Sequence, residues 1–177
     1  ILQARGELDA ALKIRQEEEL PVYDRLGDVR SRAVTMGQIA DILMARGELD
    51  AALKIRQEEE LPVYDRLGDN DGIAAVRFNC AQILLAKEGL TEGNAQALVE
   101  DLAESFSRLQ KSGRADGLVA VGTLFGQILA ACGAAEPALS VLESAAQAAE
   151  RLGWAKRLAD IRALQRPIRE NRAEGEA

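Results

Sequence analysis

The sequence predicts an all-α fold, a solenoid of antiparallel helix pairs closed by a C-terminal helix. Three observations predict it. Twenty-five consecutive residues, Ala4–Asp28, recur without a change as Ala45–Asp69, 41 residues on, and Ile1-Leu2 and Ile42-Leu43 extend the match upstream. Repetition at a period of roughly 20–50 residues marks a chain whose units bury their apolar faces only against neighbours. Apolar residues also recur at helical spacing. Finally, aromatics make up 3% of a chain that is 47% apolar, which favours close helix–helix contact over a sheet of bulky side chains.

Each repeat reads as two helices. The first is clearest over Val34–Ala45, where Met36, Ile39, Ala40 and Leu43 form one amphipathic stripe. Gly47 ends it. The second runs from about Glu48 to Leu67, with Glu48 and Asp50 at its positive end. Pro62, like Pro21 in the first copy, falls inside this helix. Proline removes a donor and crowds the preceding turn, so the expectation is a kink, with a break into two short helices as the alternative. Gly68 can take positive φ, and Asp69 can cap the next helix.

Beyond Asp69 the copies diverge but the rhythm holds. Helices are expected near Ile73–Lys87, Ala95–Gln110, Leu118–Ala131 and Glu136–Leu152, with a longer turn over Glu88–Gly93. A last helix, about Trp154–Arg172, has one apolar face formed by Leu158, Ile161, Leu164 and Ile168. Lys156, Arg157, Arg162, Arg166, Arg169 and Arg172 make the remainder basic. The expected organisation is repeats over 1–153, the first truncated, a capping helix over 154–172 and a frayed tail over 173–177. Trp154 is expected to pack the cap onto the last unit.

Net charge is −7, and the acidic excess lies in residues 1–150, so a phosphate-binding surface is not expected. Leu118–Ala135 holds no charge but is rich in Ala and Gly and falls where the repeat demands a buried helix. We read it as core and expect no membrane role. Its Gly122 and Gly126 permit close backbone approach. Cys80 and Cys132 form no CxxC pair, and a reducing cytoplasm is the expected compartment. Cys80 lies on an apolar stripe and reads as a buried structural thiol. The chain opens on Ile1 inside a repeat and reads as a fragment of a longer protein. An open apolar face is expected there, able to support homo-oligomer formation.

The chain contains no histidine, P-loop or GxGxxG, so the usual acid–base, nucleotide and cofactor constellations are missing. We expect no enzyme, cofactor or metal. Glu17–Glu19 and Glu58–Glu60 lack calcium-loop spacing and read as a solvated acidic face.

The spacing Ala40, Leu43, Gly47, Ala52 returns as Gly126, Leu129, Gly133, Ala138. With it the chain resembles the tetratricopeptide repeat (TPR) family over nearly all its length, apart from the last helix and tail. The period of 41 is longer than that family's usual one and resembles the long-repeat subclass of kinesin light chains and bacterial regulators. The second helix lacks the family's aromatic-then-alanine pattern. The resemblance implies a right-handed superhelix, no catalytic residues, and peptide or protein partners bound in a concave groove lined by first helices. The positions it assigns to that groove are Gly37, Gln38, Asp41 and Met44, then Phe78, Asn79, Gln82 and Leu85. Two other roles remain open: a self-assembling array, and a sensor module of a larger bacterial signalling ATPase or regulator.

One feature departs from the apolar stripe. Aligned on Arg66-Leu67, Arg108-Leu109 and Arg151-Leu152, the second helices place Arg56 and Glu60 where later repeats are apolar. Arg15 and Glu19 are the same pair in the first copy. Either each pair is solvated on a helix shoulder, or the four form an inter-unit network that sets stacking register.

Overall fold

A computed structural model of the protein describes residues 7–175, with side chains to residue 171. Every regular element among them is helical: α1 (Leu8–Ile14), α2 (Leu20–Leu26), α3 (Val29–Ala45), α4 (Leu49–Lys54), α5 (Leu61–Leu67), α6 (Asn70–Glu88), α7 (Ala95–Ser112), α8 (Ala115–Ala131), α9 (Ala135–Arg151) and α10 (Ala155–Gly175). The chain divides into two compact units between Gly89 and Leu90, inside the segment expected to form one run of repeats.

The proline-bearing helices neither stop nor carry an unrelieved clash. Between α1 and α2 the residues Arg15–Glu19 form a π turn, and between α4 and α5 Ile55–Glu60 do the same. The Leu20 N–H bonds the Arg15 carbonyl, and the Leu61 N–H bonds the Arg56 carbonyl, five residues back. Backbone angles at the junctions remain right-handed helical. Pro62 has no N–H to give and its ring would press on the carbonyl four residues earlier. Widening the preceding turn gives that ring room. A π turn is thus what stands where the sequence suggested a kink or a break.

In the first unit α3 packs on α4 and on the π turn that follows it, and α5 packs on α6. Asp28 caps α3 by accepting from the Ser31 N–H at 3.0 Å, and Asp69 caps α6 by accepting from the Gly72 N–H at 3.0 Å. Gly68 ends α5 with φ +63°, as its place after Leu67 requires. Two apolar clusters form the core. Ile39, Ala40, Leu43, Ala52 and Ile83 make one; Ala33, Tyr64, Ile73, Val76 and Cys80 make the other.

In the second unit α7 packs on α8, α8 on α9, and α9 on α10. Phe106 and Phe125 meet with ring centroids 6.1 Å apart. A Cβ on Gly122 would come within 3.0 Å of Ala145 and Phe106, and one on Gly126 would strike Leu142. The paired glycines of α8 therefore seat α7 and α9 side chains against bare backbone, which is the close approach expected of them. No described helix is long and apolar enough to cross a membrane.

The capping helix α10 departs from its expected pattern. Ile161 is buried, but so is Gln165, and Arg162, while staying exposed, pairs with Glu143 of α9. Gln165 Nε2 donates to the same carboxylate at 3.2 Å. Those hydrogen bonds, from Arg162 first, hold the Glu143 pKa below its ordinary value. Trp154 precedes α10 and stays 41% exposed.

Candidate functional site

Spacing alone dictates which faces of α3 and α6 reach solvent. Val34, Asp41 and Ala45 are exposed along α3, with Gln38 half-buried between them. Exactly 41 residues on, Ala75, Gln82 and Ala86 are exposed along α6, with Asn79 half-buried. Four of the groove positions, Gln38, Asp41, Asn79 and Gln82, lie on these two stripes. Met44, Phe78 and Leu85 are half-buried on the flanks. Gly37 is buried, which corrects its placement as an outward groove position. The sequence reading missed Val34, Ala45, Ala75 and Ala86, which the same i, i+3/i+4 rule supplies once Gln38 and Asp41 are fixed.

Gly37 is buried because the charged pair of the second copy sits on it. A Cβ there would come within 2.5 Å of Glu60 Oε1 and 2.8 Å of Arg56 Nη1. Arg56 Nη1 donates to Glu60 Oε2 at 2.6 Å, and Arg56 Nη2 pairs with Asp41. Side-chain exposure is 5% for Arg56 and 7% for Glu60. Burial is the largest influence on Glu60 and outweighs the Arg56 charge beside it, so its pKa lies above the ordinary value. Glu60 therefore does not belong to a solvated acidic face, as the Glu58–Glu60 run had suggested.

The same pair in the first copy is more open. Arg15 Nη1 donates to Glu19 Oε2 at 2.9 Å, with side-chain exposures of 20% and 36%. Arg15 also bonds the Gln38 amide oxygen, and Thr35 Oγ1 donates to Glu19 at 3.4 Å. Each pair thus closes within its own helix and also reaches α3, Arg15 through Gln38 and Arg56 through Asp41. Arg15, Glu19, Tyr23, Thr35 and Gln38 line a recess of about 330 Å3, with Val34 and Ser31 at its wall.

Tyr64, the counterpart of Tyr23, is buried and packs with Ala33, Ile73 and Val76. Its ring lies on Gly72, whose Cβ would meet Tyr64 Cδ1 at 2.5 Å. Ser31 stands at the equivalent position beside Tyr23, with Thr35 where α6 has Val76 and Gln38 where it has Asn79. A polar helix face therefore borders the first copy and an apolar one the second.

Cys80 is buried in the core and Cys132 is an exposed free thiol. Among the described residues no group of three or more His, Cys, Asp or Glu is arranged to hold a metal ion.

No protein-family model matches the sequence, and no curated protein matches it. Two crystal structures do resemble the fold. Both are of a Podosopora anserina putative kinesin light chain with nearly identical TPR-like repeats, one of them a point variant. The variant superposes with a TM-score of 0.54 at 16% identity over 97% of both chains, and the other with 0.53 at 16% identity over 96% of both. The fold is a TPR-like helical repeat.

Proposed function

We propose that the chain is a non-catalytic protein-interaction scaffold that binds an extended peptide or a protein segment along the solvent stripes of α3 and α6. The arrangement that carries this reading is the repeated pair of side chains at one offset, Gln38 with Asp41 and Asn79 with Gln82. Carboxamides offer both a donor and an acceptor, so they can clamp the backbone of an extended segment without regard to its sequence. Phe78, Met44 and Leu85, half-buried beside them, supply apolar contact. Asp41 is tied to Arg56, which fixes its carboxylate in place rather than leaving it to search for a ligand. The TPR-like fold supports the reading, as that fold generally serves protein–protein interaction.

Selection from a displayed peptide library tests this. Peptides enriched on the protein should bind in solution, and Asn79→Ala with Gln82→Ala should weaken them by about tenfold or more at unchanged helical content. Selected peptides that bind the double variant as well as the wild type would place the binding surface elsewhere.

A further inference from the structure

The two units fill one corner of the repeat differently. In the first unit Arg32, the fourth residue of α3, spans the second helices on either side of it. Its Nε donates to Asp24 of α2 at 3.0 Å, and its Nη1 to Glu59 of the second π turn at 3.2 Å. In the second unit the fourth residue of α8 is Leu118, which is buried. Counting back from the Arg-Leu pairs puts Ser107 where α2 has Asp24, and Ser144 where the π turn has Glu59. The spanning guanidinium and both of its acceptors are therefore replaced together. A recess of about 530 Å3 stands there, walled by the ends of α7 and α9 and by Leu118 of α8. Its volume falls in the usual range of ligand pockets. All three helices lie inside the chain, with described helices before and after them.

The polar lining of this recess is largely unspent. Gln110, Glu150 and Arg151 form no hydrogen bond or ion pair among the described residues. Ser144 gives its proton to the Ser140 carbonyl at 3.2 Å and keeps its lone pairs. Gln147 donates to Glu143, which leaves its carboxamide oxygen. α7 ends at Ser112 and α9 at Arg151, so the C-terminal ends of two helices border the recess. Their unsatisfied carbonyls favour a cation. The positive start of α8 is answered by its own Asp116.

We propose that the recess binds a guanidinium on an aliphatic stem, the arginine side chain of a partner segment. The stem lies along Leu118. The planar head donates to the Glu150 carboxylate and to the side-chain oxygens of Gln110, Gln147 and Ser144. The ligand takes from outside the place that Arg32 fills from within in the first unit. Arg151 opposes it from the rim. The recess shares no residue with the α3–α6 stripes, and the inference does not rest on peptide binding there.

The test titrates the full chain with the blocked peptide acetyl-Ala-Arg-Ala-amide and follows the backbone amides of α7–α9 by NMR. The expected result is saturable shifts centred on Gln110, Ser144 and Gln147. The citrulline analogue keeps the shape without the charge and should bind about tenfold more weakly. Glu150→Gln should weaken the arginine peptide and Arg151→Gln should tighten it, each by about threefold, the scale of exposed charges. Ser144→Glu restores one of the acceptors that hold Arg32 and should tighten binding by about the same factor. A gain of that kind cannot come from a folding defect. No saturable shift at these amides, or equal binding of the citrulline analogue, overturns the proposal. Reversed signs at Glu150 and Arg151 also overturn it, since the site would then take an anion. Free L-arginine bound more tightly than the blocked peptide overturns a partner segment as the source.

Discussion

The helices α1–α2 and α4–α5 are one sequence in two environments. They share the π turn, the buried alanine at Ala11 and Ala52, and the Arg–Glu pair. They differ in their neighbours: α3 alone against the first among the described helices, and α3 and α6 together against the second. From that difference follow the burial of Tyr64 but not Tyr23, and a closed pair at Arg56–Glu60 where Arg15–Glu19 stays half-open. The comparison teaches that the energetic role of a side chain in this protein is set by the adjacent repeat, not by its own.

The sharpest test replaces the same residue in each copy. Arg56→Ala strands the buried Glu60 and should cost about 2 kcal/mol or more in denaturant unfolding. Arg15→Ala leaves a more solvated carboxylate and should cost under about 1 kcal/mol. Equal losses would mean that neighbours do not decide the matter.

Next in size is the glycine beneath Tyr64. Gly72→Ala should drive the ring from its seat at a net cost of about 1 kcal/mol, overpacking offset in part by the helix preference of alanine. Burial is the main cause of the raised Tyr64 pKa, so the variant should also bring that ionisation down towards 10.0 in an ultraviolet titration. A tyrosine titration that does not move would show that Gly72 is not what admits the ring.

A third test uses pH. The folded pKa of Glu60 lies above its ordinary 4.5. Between the two values the folded state holds a proton that the unfolded state has released, so stability on this account falls as pH rises through the window. Glu60→Gln removes the window, and its denaturant midpoint should lose that downward slope just above pH 4.5 while the wild type keeps it. Superimposable profiles would contradict the buried placement. Asp116 has the opposite sign. The Arg114 hydrogen bond lowers it to about 2, so its contribution is present above 3.8 and fades as pH falls from there towards about 2.

The smallest effect concerns the caps. Asp69→Ala should lower stability by about 1 kcal/mol. Asp28→Ala should cost less, because Asp69 also pairs with Arg30 while Asp28 holds only local hydrogen bonds to Ser31. Thermal melts of the two variants check the order.

Helix ends were legible where they rest on local chemistry: Gly47 and Gly68 at positive φ, Asp28 and Asp69 accepting from the third residue on. The π turns were not, since a proline in a helical pattern announces a clash without saying how the backbone absorbs it. Nor could the sequence separate Arg15 from Arg56, because the copies are identical and only the helices around them differ. The burial of Gly37 escaped for a related reason. Its cause is a charged pair 19 and 23 residues downstream, beyond any local pattern. Gln165 was invisible because its burial depends on a carboxylate from another helix.

The π turns before Pro21 and Pro62 have a consequence for how such repeats can change length. A π turn holds about one residue more than an α turn over a similar sweep of the axis. Loss of one residue from Ile55–Glu60 can therefore be taken up by reverting to α geometry, with Ala52 and Tyr64 still facing the core. Each of the two identical copies carries its own tolerance for a single-codon deletion, at a place where an ordinary helix would rotate everything downstream out of register.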